Sequence, residues 1–265
     1  MKIILFAFSV SALALAQAAK VPPALTPVLL PGEGLAIAGP TGLQKGYGES
    51  KVEAPMGSLA ELLWLRLEGD DWGGRQVAFK CKGEWNGFHC WNPKGHGRVD
   101  LAKATTESCN LAFLFWAMQS VEGWKHDYGE GAARLRLELV FKPFLGNRLP
   151  AGDVLPVITP AWVGEGDLLR TTPEALATWM ADQDQEELRN RFKRLMGGAF
   201  DGWIIKGAPW WFKTGISKVP GDTTVNTIWV AGSDGESTVV LHLPKGRGPT
   251  EGLARMKEIL HLPKK

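Results

Sequence analysis

Gly57-Ser58-Leu59-Ala60-Glu61-Leu62-Leu63-Trp64-Leu65-Arg66-Leu67 places apolar residues at Leu59, Leu62, Leu63 and Leu67. That spacing predicts a helix, with Ser58 at its start. Glu61 follows Ser58 by three residues and therefore shares its face. Two more short strings lie downstream, Ser108-Cys109-Asn110 and Lys213-Thr214-Gly215. The first falls between a predicted short helix at Val99–Ala104 and a helix opening at Asn110. The second falls on a predicted strand, Trp210–Ser217.

A serine hydroxyl is a weak nucleophile and needs a base. Ionised Glu61 only accepts hydrogen bonds, so it cannot place a cation beside Ser58. Its ordinary pKa of about 4.3 makes it a poor base unless burial raises it. A salt bridge with Lys213 is the other role open to it, and that pairing closes the site.

A Ser-x-x-Lys, a Ser-x-Asn and a Lys-Thr-Gly in this order are the three motifs of penicillin-binding transpeptidases and serine β-lactamases. This chain resembles that superfamily, with Glu61 where the lysine of Ser-x-x-Lys stands. The intervals between Ser58, Ser108 and Lys213 are 50 and 105 positions. The resemblance extends through Cys81-Lys82-Gly83, Cys90-Trp91, Gly95-His96-Gly97-Arg98-Val99-Asp100-Leu101 and Glu107-Ser108-Cys109-Asn110, which looks like the corresponding stretch of elongation-type penicillin-binding proteins. Val163-Gly164-Glu165-Gly166 and Thr172-Pro173-Glu174-Ala175-Leu176-Ala177 are similar to their Gly-x-Gly and Thr-Pro-x-x-x-Ala segments. The match runs from about Pro55 to the C-terminus.

The resemblance implies an α+β fold, an α/β sandwich in which an antiparallel sheet is flanked by helices, with an all-helical subdomain. It also implies roles. Ser58 is the nucleophile. Ser108 relays protons, and Asn110 orients the substrate amide. Lys213 supplies positive charge, Thr214 binds the substrate carboxylate, and Gly215 completes the back-wall strand. The N–H groups of Ser58 and Ile216 form the oxyanion hole. Ile216 is bulkier than the small or hydroxylated residue usual there, which crowds the acyl pocket.

The chain has 265 residues, 45% of them hydrophobic, enough for one sizeable core. A net charge of +2 gives no nucleic-acid footprint. Lys2, the apolar run Ile3–Ala16 and Ala16-Gln17-Ala18 read as a signal peptide over residues 1–18, leaving one domain over 19–265. An uncleaved anchor is the alternative. The expected location is the periplasm or cell envelope, with no membrane span after cleavage. The strongly apolar Leu111–Met118 has the length of a buried core helix.

Three cysteines suit an oxidising compartment. Asn86-Gly87 is a hairpin signal between Cys81 and Cys90, and a Cys81–Cys90 disulfide is the expectation, with Cys109 left unpaired behind the Ser-x-Asn loop. A zinc site of Cys81, His89, Cys90 and His96 matches no closed ligand spacing, so neither metal nor cofactor is expected. Of twelve tryptophans, Trp210 and Trp211 are candidates to line a ligand groove.

Two functions from different classes fit. One is a catalytically impaired, transpeptidase-like protein that binds a peptidoglycan stem peptide, a β-lactam or an envelope protein. The other is an active acyl-serine enzyme, a transpeptidase, carboxypeptidase or β-lactamase, using Ser58.

Overall fold

The computed structural model describes residues 27–74, 78–148, 155–182, 210–219 and 222–262. The signal segment lies outside the described residues, as does the stretch 186–196, whose dense charge reads as a solvated helix face.

The centre is a five-stranded antiparallel sheet. Its strands are β1 (Gly34–Gly39), β2 (Gly42–Gly48), β9 (Trp211–Val219), β10 (Asp222–Ser233) and β11 (Thr238–Gly246), in the spatial order β2-β1-β11-β10-β9. Sequence neighbours pair through hairpins, but β1 docks beside β11, which joins the two ends of the chain. Among the described residues there are also six short strands: β3 (Ala54–Pro55), β4 (Phe79–Cys81), β5 (Glu84–Trp85), β6 (Phe88–His89), β7 (Gly97–Val99) and β8 (Arg170–Thr171). The described helices are α1 (Ala60–Gly74), α2 (Leu101–Thr106), α3 (Asn110–Tyr128), α4 (Glu130–Leu145), α5 (Pro173–Asp182) and α6 (Pro249–Ile259). This is the α+β sandwich expected.

The inner strands β1, β10 and β11 are covered on both faces, so they bury apolar residues on both sides instead of alternating. Every residue of β1 is buried. Leu35, Ile37, Ile228, Val230 and Leu241 face α6 and pack with Met256 and Ile259. On the opposite face, Ala36, Ala38, Trp229, Ala231 and Val240 join the larger core built on α1, α3, α4 and α5. Small residues there let α5 lie close, because a helix approaches a sheet only as nearly as the side chains between them permit. Helices α1 to α4 form the helical part, with Trp64, Phe113, Trp116, Phe141 and Phe144 fully buried among them.

The stretch 131–142, whose alternating charged and apolar residues leave strand and helix both open, is α4. Two sequence expectations are corrected. Val28-Leu29-Leu30, a short apolar run before the Pro31-Gly32 turn that reads as a first strand, forms none, and Val28 and Leu30 are exposed. No disulfide joins Cys81 to Cys90, since all three cysteines are free thiols. The Asn86-Gly87 turn pairs Trp85 with Phe88 and Glu84 with His89. Continuing that ladder sets Cys90 against Gly83, whose carbonyl accepts the Cys90 N–H at 2.8 Å. Cys81 instead pairs with Gly97 across β4 and β7.

Candidate functional site

The turn that carries Ser58 is pressed against the edge strand β9 by two glycines. Gly57 has φ +55°, and a Cβ there would lie 2.3 Å from the Ile216 carbonyl oxygen. A Cβ on Gly215 would lie 2.5 Å from the Met56 carbonyl oxygen and 2.9 Å from the Leu59 nitrogen. Only glycines allow this approach. The preceding backbone is fixed by Pro55, whose carbonyl accepts hydrogen bonds from Trp229 Nε1 at 2.7 Å and Ser217 Oγ at 3.2 Å. Trp64 of α1 donates to the Trp162 carbonyl at 2.8 Å, tying the helix to the loop that carries Gly164-Glu165-Gly166.

Ser58, Ser108, Asn110, Thr214 and Ile216 all line one open groove of about 1650 Å³, together with Gly164, Glu165 and Gly166. Lys213 and Gly215 lie behind its wall. The structure therefore brings the residues of the three motifs together at one place. Trp210 and Trp211 do not line the groove. Both are buried, and Trp210 stacks on Phe212 at 5.7 Å.

Lys213 is fully buried, and its Nζ donates to Ser108 Oγ at 2.5 Å and to the Thr214 carbonyl at 3.2 Å. The same ammonium lies 3.2 Å from Glu61 Oε2, and Glu61 is also completely buried. That contact is an ion pair off the line of a hydrogen bond, and neither Glu61 oxygen has an aligned donor among the described residues. Burial drives the Glu61 carboxyl up to about 7, against the pull of Lys213 in the other direction. Loss of hydration therefore outweighs the ion pair.

Ser108 adopts φ +46°, a left-handed conformation unusual for serine. Trp91 holds the loop, since its Nε1 donates to the Ser108 carbonyl at 2.8 Å and to the Glu107 carbonyl at 3.2 Å. The Asn110 side-chain amide donates to Glu165 Oε1 and, at 3.4 Å, to the His89 carbonyl. Desolvation raises the Glu165 carboxyl above the usual carboxylate range. Glu165 and Trp91 were missed as groove residues. The middle position of the Gly-x-Gly segment was the available signal for Glu165.

Beside the groove lie Cys81, Cys90, His96 and Cys109, all buried, with one ligand atom from each lying within 4.8 Å of the others. His89, in the ligand set weighed from sequence, is elsewhere, about 4.0 Å from Glu84.

Neither a protein-family model nor a curated sequence matches this chain. Solved structures do match in fold. PBP2 of Pseudomonas aeruginosa in complex with WCK 5153 superposes with a TM-score of 0.57 at 14% identity, over 86% of this chain and 70% of that one. PBP2 of Helicobacter pylori, solved with MreC, gives a TM-score of 0.58 at 11% identity, over 86% of this chain and 59% of that one. The OXA-427 class D β-lactamase gives 0.54 at 17% identity, over 86% of this chain and 98% of that one. The fold is thus that of penicillin-binding proteins and class D β-lactamases.

Proposed function

We propose that this chain is an exported cell-envelope protein whose groove recognises a peptidoglycan stem peptide without forming an acyl-serine. The observation that carries this reading is the buried ion pair of Glu61 with Lys213, 3.2 Å apart. Exchanging the motif lysine for a carboxylate changes the local charge by about two units when both groups are ionised. Acyl transfer relies on positive charge and oriented donors around the developing oxyanion. Here the one cation of the motif set is partnered by an anion and directed at Ser108 Oγ. Ser58 has no lysine on its helix face to take its proton, while the walls that would cradle a peptide are in place.

The sequence supports the remaining parts of the reading. Residues 1–18 direct export. Among the described residues no helix is long and apolar enough to cross a membrane. The Helicobacter pylori neighbour was solved bound to MreC, which makes an envelope protein the alternative occupant of a non-acylating surface.

A second reading has its own support. A carboxyl near 7 is better matched to proton abstraction at neutral pH than an ordinary glutamate. Glu61 would then activate Ser58. Against it stands the geometry: a base must reach the proton it takes, and Glu61 has no hydrogen bond to Ser58 Oγ.

One assay separates the two. The mature protein is incubated with a fluorescent penicillin, beside Ser58→Ala, Glu61→Lys and Glu61→Gln. The expected result is no covalent label on the unmodified protein and label on Glu61→Lys, with stem-peptide binding retained in Ser58→Ala. Label on the unmodified protein that rises through about pH 7 and disappears in Ser58→Ala and Glu61→Gln would overturn the binding-only reading.

A further inference from the structure

Glu61 and Lys213 are sealed behind the groove, and Ser108 connects them to it. Ser108 lines the groove, and its Oγ accepts a hydrogen bond from Lys213 Nζ at 2.5 Å. Its own O–H is then left to donate to an acceptor in the groove. Thr214, the neighbour of Lys213, lines the same wall. A buried ammonium backing one hydroxyl, with a second hydroxyl beside it, suits an anionic group on the ligand. Glu61 opposes that ammonium from 3.2 Å, fully buried and with neither oxygen held by an aligned donor among the described residues. Building on the reading of the groove as a peptide site, we propose that Glu61 sets its selectivity for a carboxylate by its own protonation: a peptide with a free terminal carboxylate binds together with a proton, which Glu61 takes up from solvent, and the amidated peptide binds without it.

The balance of charge carries this. Ionised Glu61 cancels Lys213, so the wall behind Thr214 holds no net charge. Protonated Glu61 leaves one uncompensated ammonium in a buried, weakly screened place, where it attracts a nearby anion more strongly than it does in water. A carboxylate seated at Ser108 and Thr214 in turn repels the Glu61 anion and raises its affinity for a proton. The two binding events favour each other by the same factor. Lys213 stays an ammonium throughout, and the added hydrogen ion comes from the buffer. Ser108, Lys213 and Glu61, linked at 2.5 and 3.2 Å, supply its path inward from the groove.

Burial already places the Glu61 carboxyl at about 7. Below that pH Glu61 holds its proton with or without ligand and contributes no pH dependence to binding. Above it the carboxylate must bring the proton in, and affinity falls as pH rises. Among the described residues, the titratable groups that bear on Glu61 are Lys213 of β9 and the Cys90 thiol of the segment after β6. Charged side chains of the surrounding elements are engaged elsewhere. Glu68 of α1 pairs with Arg136 of α4 at 3.4 Å, and Arg134 with Glu138 on α4 at 2.7 Å. Lys103 of α2 donates to the His96 carbonyl at 2.8 Å, and Glu165 is held by Asn110 of α3.

The test titrates the full chain by calorimetry with a synthetic stem pentapeptide, once with a free terminal carboxylate and once amidated, in two buffers of different ionisation heat. For a tenfold coupling, the acid peptide is expected to take up about half a proton at pH 7.5 and to bind about fivefold more weakly at pH 8 than at pH 6. The difference between acid and amide is expected to vanish in Glu61→Gln. Glu165 is present in both proteins, so its own titration cancels. Carbon-13 NMR of glutamate-labelled protein reads the same event directly, with the Glu61 signal identified by its loss in Glu61→Gln. Its midpoint is expected to rise by about one pH unit with the acid peptide and to stay in place with the amide. If the variant does not fold, the acid and amide peptides on the unmodified protein still make the comparison. Equal proton uptake with the two peptides, or a Glu61 midpoint that the acid peptide leaves in place, overturns the coupling. If neither peptide binds, the peptide reading fails by itself. Excess acetate then replaces the peptide: a raised Glu61 midpoint upholds the coupling, and an unmoved one overturns it.

Discussion

Lys213 Nζ bridges Glu61 and Ser108, 3.2 Å from the carboxylate and 2.5 Å from the hydroxyl, with both charged groups sealed from solvent. The pair is electrostatically uneven. Dehydration costs the carboxylate more than the ammonium returns, so Glu61 holds a proton until about pH 7.

This makes stability depend on pH in a defined direction. Below about pH 4.5 Glu61 is protonated both folded and unfolded. Between 4.5 and 7 the folded chain binds the proton more tightly, so stability falls as pH rises through that window and levels off above it. At about 1.36 kcal/mol per pH unit the loss is about 3 kcal/mol. His242 acts oppositely. Burial lowers its pKa to about 4, so it destabilises the fold as pH falls from its ordinary 6.5. The raw profile therefore mixes both slopes, and a variant isolates one. Relative to the unmodified protein, Glu61→Gln is expected to gain about 3 kcal/mol between pH 4.5 and 7.5, measured by urea unfolding across that range. Parallel curves for the two proteins would mean that Glu61 titrates like a hydrated carboxylate.

Gly215→Ala tests the contact that brings Ser58 to β9. The added Cβ would collide with backbone on both sides, at Met56 and Leu59, and backbone cannot rotate out of the way as a side-chain end can. A cost of at least about 2 kcal/mol is expected, seen as a lower denaturation midpoint. Gly123→Ala on α3, where a Cβ meets nothing within 4 Å, is expected to be neutral or slightly stabilising. Equal effects from the two substitutions would remove the close-approach argument.

The elements that position the groove were readable because their signals are local. Leu59, Leu62, Leu63 and Leu67 marked α1, and the stretches 224–231 and 237–243, joined by the turn Gly232-Ser233-Asp234-Gly235, read as strands and lie in β10 and β11. Strand β2 carries no such signal. Its Gly-Leu-Gln-Lys-Gly-Tyr-Gly is mostly exposed and exists as a strand because β1 offers it an edge. In α4 the helical period is blurred because Leu135 and Leu139 face solvent while Leu137 is buried. The cysteine cluster was hidden for a different reason. It depends on the pairing of Cys81 with Gly97 and on the fold bringing Cys109 behind β4, and both are long-range facts. The Asn86-Gly87 turn was read correctly, but counting outward from it places Gly83, and not Cys81, opposite Cys90.

The last prediction concerns ligand access to Asn110. Its side-chain amide is engaged by the Glu165 carboxylate, which also sets a negative charge in the groove. A peptide that needs that amide must displace Glu165, and a peptide ending in a carboxylate must do so against repulsion. Glu165→Ala frees the amide and removes the charge. Hydrogen bonds to charged groups contribute about 1.5–3 kcal/mol, of which desolvation of the incoming peptide takes part. The expected outcome is stem-peptide binding about tenfold tighter, equivalent to about 1.4 kcal/mol, read by fluorescence anisotropy. Because burial raises the Glu165 carboxyl, the unmodified protein should also bind more tightly as pH falls and Glu165 becomes neutral, and Glu165→Ala should lose that dependence. Weaker binding by the variant would instead make Glu165 a contact to the ligand, as a free amine on the peptide would require.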